Sequence, residues 1–136
     1  MSVGEWWFTS HLTEMTREEC LELVASLRVG RVAYADDEGP VVLPVNHVLD
    51  GESVLFRVSP NSELAKHLGD GQPASFQVDD FEDFNMSGWS VLIRGTTQLV
   101  AEDEPHADAN PWAEGDRTLN VRIVPTSVSG RRLLPA

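Results

Sequence analysis

Two β-rich runs, Val41 to Leu49 and Ser53 to Val58, flank the dipeptide Asp50-Gly51. Asp-Gly tolerates positive φ, and between two such runs it is a strong short-range signal for a β-hairpin. The second run stops at Ser59-Pro60-Asn61-Ser62. Proline cannot continue a ladder, and Asn or Ser can cap a helix. Leu64, Ala65 and Leu68 then fall at helical spacing. Val41–Lys66 therefore reads as strand, tight turn, strand and short capped helix, and the rest of the chain is organised around it.

This junction has chemical content. A helix start offers unpaired N–H groups and partial positive charge, which suits a phosphate. Arg57, Ser59, Asn61, Ser62 and Lys66 gather there. Pro44 removes a ladder donor from the first strand, so it marks a sheet edge or a bulge. The same residues also make an ordinary hairpin and capped helix, and alone they do not decide between the two.

On the N-terminal side, Thr16-Arg17-Glu18-Glu19 has the form of a capping box. Cys20, Leu23, Val24 and Leu27 follow at one-faced helical spacing, which predicts a helix from about 17 to 28 ended by Gly30. Cys20 on that face reads as a buried hydrophobe. Residues 1–12, with Trp6-Trp7-Phe8, read as an aromatic tail before a single domain over 13–136. Val32 to Ala35 is a short strand turned by Asp36-Asp37-Glu38-Gly39 into the organising hairpin. Val41 to Leu49 is apolar on both faces, which predicts cover on both sides, as in a closed barrel packed by a helix or another subunit.

Beyond the short helix, Ala74, Phe76 and Val78 alternate with polar residues. Asp79 to Asn85 reads as an acidic solvated loop anchored by Phe81 and Phe84. In Gly88–Val100, residues Trp89, Val91, Ile93, Thr97 and Leu99 are expected on one face, with a bend or bulge at Gly95. Leu119 to Ile123 is a strand that Pro125 is expected to interrupt, and Val128 to Leu134 resumes it. The sum is mainly β: an antiparallel, closed arrangement with one N-terminal helix and a short helix after the third strand.

The chain has 136 residues, 41% of them apolar, enough for one packed core. Its net charge of −12 argues against nucleic acid and anionic membrane surfaces as partners. The one cysteine allows no internal disulfide. No apolar run approaches a membrane span and no signal peptide is evident, so the cytoplasm is the expected location. Motifs for metal-dependent, serine, thiol or phosphate-loop chemistry are missing, and His11, His47, His67 and His106 lack metal-ligand spacing. No metal site is expected. An enzyme of this kind would need a bound cofactor as its reactive centre.

Four segments then carry a resemblance: Arg28 to Tyr34, Gly39 to Asn46, Phe56 to Ser62 and Gly88 to Gly95, with Val121 to Pro125 and Gly130 to Leu133 behind them. In this order they resemble the FMN-binding split-barrel family related to pyridoxamine 5′-phosphate oxidase, and within it the short flavin-nucleotide-binding branch. The resemblance runs from about residue 13 to 134. It implies a six-stranded antiparallel split β-barrel (Greek key) that works as a homodimer, with FMN at the subunit interface. Pro44, Val45 and Asn46 would border the isoalloxazine ring. Arg57, Ser59 and Ser62 match the phosphate region, and Arg131 is a further phosphate candidate. Trp89 matches a position near the ring. Trp112 is similar to a tryptophan that reaches the ring from the second subunit of the larger oxidase.

The chain departs from the pattern at Glu63 and Leu64, where many relatives carry Lys or Arg; Lys66 is the nearest replacement. The arginine–histidine pair that holds the substrate of the true oxidase has no match, so pyridoxamine phosphate oxidation is not expected. The resemblance implies a flavin-dependent oxidoreductase acting on a small molecule. The alternatives are a flavin-binding protein for storage or sensing, a barrel holding a deazaflavin or haem, and one holding no ligand.

Overall fold

The computed structural model describes residues 11–101, 104, 107 and 119–135. Trp6-Trp7-Phe8, His106 and Trp112 lie outside them. The described elements run β1 (His11–Glu14), α1 (Arg17–Ser26), β2 (Val29–Asp36), β3 (Gly39–Asp50), β4 (Ser53–Val58), α2 (Glu63–His67), β5 (Pro73–Glu82), β6 (Ser87–Leu99) and β7 (Leu119–Leu134). None of the helices among the described residues is long and apolar enough to cross a membrane.

The capping box forms as the sequence predicts. Thr16 Oγ1 accepts from the Glu19 N–H at 3.2 Å, and a Glu19 carboxylate oxygen accepts from the Thr16 N–H at 3.5 Å. Cys20 and Val24, one turn apart, are fully buried beneath α1. Burial pushes the Cys20 thiol pKa up, as befits a core residue. The helix ends earlier than expected, because Leu27 is already extended. Gly30 is no helix stop; it lies inside β2. A Cβ there would sit 2.2 Å from the Phe76 ring, so glycine is present to let the ring in.

All seven strands join one antiparallel sheet in the order β1-β7-β4-β3-β2-β5-β6, and β6 pairs back with β7 to close a barrel. Strands β2, β3 and β4 are consecutive hairpins and β5 returns beside β2, which is a Greek key. The predicted hairpin at Asp50-Gly51 is in place, with Gly51 at φ 64°. Val32, Val54, Phe56, Phe76, Val78, Val91, Ile93, Val121 and Ile123 fill the barrel interior.

The strand count exceeds the expected six, because β1 pairs with the far end of β7 through His11 to Glu14. Four residues carry too little pattern to reveal a strand. The predicted interruption at Pro125 is replaced by a bulge. Arg94 pairs with Ser127 and Gly95 with Pro125, so Thr126 is the extra residue and β7 continues. A Cβ on Gly95 would lie 2.1 Å from the Val124 carbonyl oxygen, which explains the mid-strand glycine.

Two burial expectations need correction. Leu99 is 36% exposed, whereas Thr97 two residues before it is buried. Phe81 and Phe84 are 49% and 96% exposed at the tip of the β5–β6 hairpin, so within this chain they anchor nothing. Val42 and Leu43 point to alternate faces of β3, and both are exposed. The described residues of one chain leave this segment uncovered on either side.

Candidate functional site

The residues suggested by the sequence lie on β3, on β4 and its following loop, and on α2. β3 pairs with β2 over Gly39–Asn46 but with β4 only over His47–Asp50. Among the described strands, residues 39–46 thus have a ladder on one side and an open edge on the other. Pro44 sits exposed in that edge half, where its missing N–H costs nothing. Side chains alternate along β3, so Val45 packs partly on the core while Pro44 and Asn46 face outward. His47 is the Cα partner of Phe56. The next residue on each strand, Asn46 and Arg57, therefore share the outer face at the end of that ladder.

The loop after β4 is tied by its own hydroxyls. Ser62 caps α2, its Oγ accepting from the Ala65 N–H at 3.1 Å, and it donates its proton to the Ser59 carbonyl at 2.8 Å. Ser59 Oγ accepts from the Asn61 N–H at 3.4 Å and keeps its own proton to give. Lys66 Nζ reaches Glu63 at 3.0 Å, in a pair exposed on both sides. Such a pair contributes little and exchanges readily for a better anion.

The structure brings Pro44, Asn46 and Arg57 to one face at the end of the β3–β4 ladder, with Ser59 in the loop that follows β4 and Lys66 on α2. It does not bring Trp89 or Arg131 to them. Trp89 packs partly on the core and is the Cα partner of Asp80 and Arg132. Arg131 lines a separate cavity of about 440 Å³ with Glu14, Ser90 and Leu92. Arg57 pairs with Asn120, near the start of β7, whereas Arg131 lies near its end. Ten strand residues lie between those two β7 positions, a path of roughly 35 Å along the strand. A single phosphate cannot be shared by both arginines of one chain.

One residue at this edge was overlooked in the sequence. Arg31 is the cross-strand partner of Pro44, held by Asp79 at 3.1 Å and by the Gln77 side chain at 2.9 Å. Counting outward from the turn at Asp37-Glu38 would have found it. A second network, Arg122 with Asp50 at 2.7 Å and Gln98 at 2.9 Å, braces the hairpin from β7. The hydrogen bond to Asp50, chiefly, raises the Arg122 pKa further.

The class of the fold is an antiparallel split barrel, and the comparisons name the family. Residues 16–132 match the family model described as pyridoxamine 5′-phosphate oxidase, and the chain belongs to that family. It is 27% identical over 131 residues to the uncharacterized protein Rv0080 of Mycobacterium tuberculosis, covering 90% of this chain and 86% of that one. Among solved structures, the FAD binding protein from Mycobacterium smegmatis superposes with a TM-score of 0.71 at 28% identity, over 90% of this chain and 99% of that one. A putative pyridoxamine 5′-phosphate oxidase from Corynebacterium glutamicum has the same fold, with a TM-score of 0.69 at 24% identity over 92% and 95% of the two chains.

Proposed function

We propose that this chain is a flavin-nucleotide-binding protein whose site is completed by a second copy, and that it serves as an oxidoreductase for a small molecule. The observation that carries the flavin is the likeness, 28% identical and along almost its entire length, to a protein described as FAD binding. The local chemistry fits. The edge at Pro44 can present backbone groups to a ring edge. Arg57, Ser59 and Lys66 can hold a phosphate once Glu63 lets Lys66 go. Ser62 is the poor fit, because its proton is already given to Ser59. Bound flavin would supply hydride or electron transfer, while the protein orients the ring and excludes water.

FMN is the smallest nucleotide that satisfies this cradle, with one phosphate for one arginine. FAD is the second reading, favoured by the Mycobacterium smegmatis protein. The homodimer is supported by two observations. Val42 and Leu43 are apolar and exposed on opposite faces of β3. Arg131 and Arg57 are too far apart along β7 to act together within one chain, whereas Arg131 of a second copy could approach Arg57.

The test is the visible absorption spectrum of the purified protein, before and after incubation with FMN or FAD and desalting. A retained flavin band, with the released nucleotide identified by chromatography, is the expected result. Reduction of the bound flavin by NAD(P)H with turnover would carry the oxidoreductase part. A chain that stays colourless with both nucleotides overturns the reading.

A further inference from the structure

We infer that a second concavity, on the sheet between α2 and β6, binds a small aromatic carboxylate. This cavity of about 560 Å³ lies within the usual size range of small-molecule pockets. Its floor is a cross-strand row, Ala33 on β2, Ser75 on β5 and Arg94 on β6, each the Cα partner of the next. Pro40 and Pro73 add small, flat, apolar walls, and His67 stands at the rim. The floor therefore suits a ring lying flat, with polar groups at either end.

The two ends differ in chemistry. Arg17, Arg31, Arg122 and Arg132 each hold a carboxylate. Arg94, like Arg28 and Arg131, holds none among the described residues, although the chain has 22 acidic residues against 10 basic ones, and of these three it alone lines this cavity. A guanidinium at the end of an apolar floor is a fork for a carboxylate. At the other end, His67 Nδ1 lies 2.9 Å from the Glu63 carbonyl oxygen. A carbonyl only accepts, so Nδ1 carries the proton, and the neutral ring keeps its lone pair on Nε2. Nε2 can then accept from a ligand hydroxyl. The ring is steadied by Tyr34, 6.0 Å away between centroids. The ligand class is thus an aromatic acid bearing a hydroxyl away from its carboxylate. This site does not depend on flavin.

The probe is 4-hydroxybenzoate, titrated into the full chain without added flavin and followed by NMR at the Arg94 amide and the His67 ring. Saturable shifts at both are expected. The neutral amide of the same probe should bind at least about tenfold more weakly, and Arg94→Gln should lose about the same factor. Arg94→Lys keeps the charge and should retain most of the affinity. Arg94 is exposed, so these variants should keep the wild-type circular dichroism. No binding at about 10 mM probe overturns the inference. So does equal binding of acid and amide, unchanged affinity in a folded Arg94→Gln, or a response centred on Arg131.

Discussion

His47 on β3 and Val24 on α1 are joined through the core: the His47 Nε2 lies 2.9 Å from the Val24 carbonyl oxygen. The bond ties the only long helix among the described residues to the strand that carries the candidate site. It also fixes the proton on Nε2, because the carbonyl can only accept. Nδ1 is buried with no hydrogen-bond partner, and the ring stands edge-on to Phe76.

Burial lowers the His47 pKa from its ordinary 6.5, more than the bond to Val24 raises it. The unfolded chain therefore takes up the proton first as pH falls. His47 is expected to contribute full stability above pH 6.5, and less as the pH drops from there through its lower folded value. Thermal melts from neutral pH downward should show this loss. His47→Leu should cost about 1 kcal/mol at neutral pH, because the bond to Val24 is lost while the Val24 carbonyl keeps the Leu27 N–H, and should melt with a flatter pH dependence. Parallel pH profiles for the two proteins would show that His47 does not govern acid sensitivity.

Gly30→Ala drives a methyl into the Phe76 ring and should destabilise by about 1–3 kcal/mol. The check is denaturant unfolding of the single variant and of the Gly30→Ala, Phe76→Leu pair. If the close approach is the cause, the two changes are non-additive, with the second costing less on top of the first.

Arg57→Ala should weaken FMN by about 10- to 100-fold, through loss of a charged hydrogen bond to the phosphate. Riboflavin, which has no phosphate, should bind the variant and the natural chain alike. An equal loss for both ligands in fluorescence titrations would remove Arg57 from the phosphate site.

Val42→Asp together with Leu43→Lys puts charge on both exposed faces of β3. The pair should convert a dimer to a monomer by light scattering and reduce flavin retention at the same time. A dimer that survives both changes would move the interface elsewhere.

Much of this architecture was legible beforehand. The hairpin at Asp50-Gly51, the Thr16 capping box and the burial of Cys20 follow from local chemistry, which tertiary packing did not override. What was illegible depends on contacts distant in sequence. Gly30 resembles a helix stop until Phe76 arrives from β5. Pro125 resembles a break until a bulge at Thr126 absorbs it. Phe81 and Phe84 look like anchors by composition, yet the tight β5–β6 hairpin carries them outward. The candidate site was legible as chemistry on β3, β4 and α2, but not as geometry. Sequence order alone does not reveal that Arg131 and Arg57 stand near opposite ends of β7.

β7 pairs with β1, β4 and β6, so residues 119–134 complete three separate ladders. A polypeptide emerging from the ribosome N-terminus first must hold those three partners with open edges until this segment has cleared the exit tunnel. Closure is then a late event rather than a gradual one. Nascent chains stalled before it should be the species that chaperones capture and that aggregate most readily.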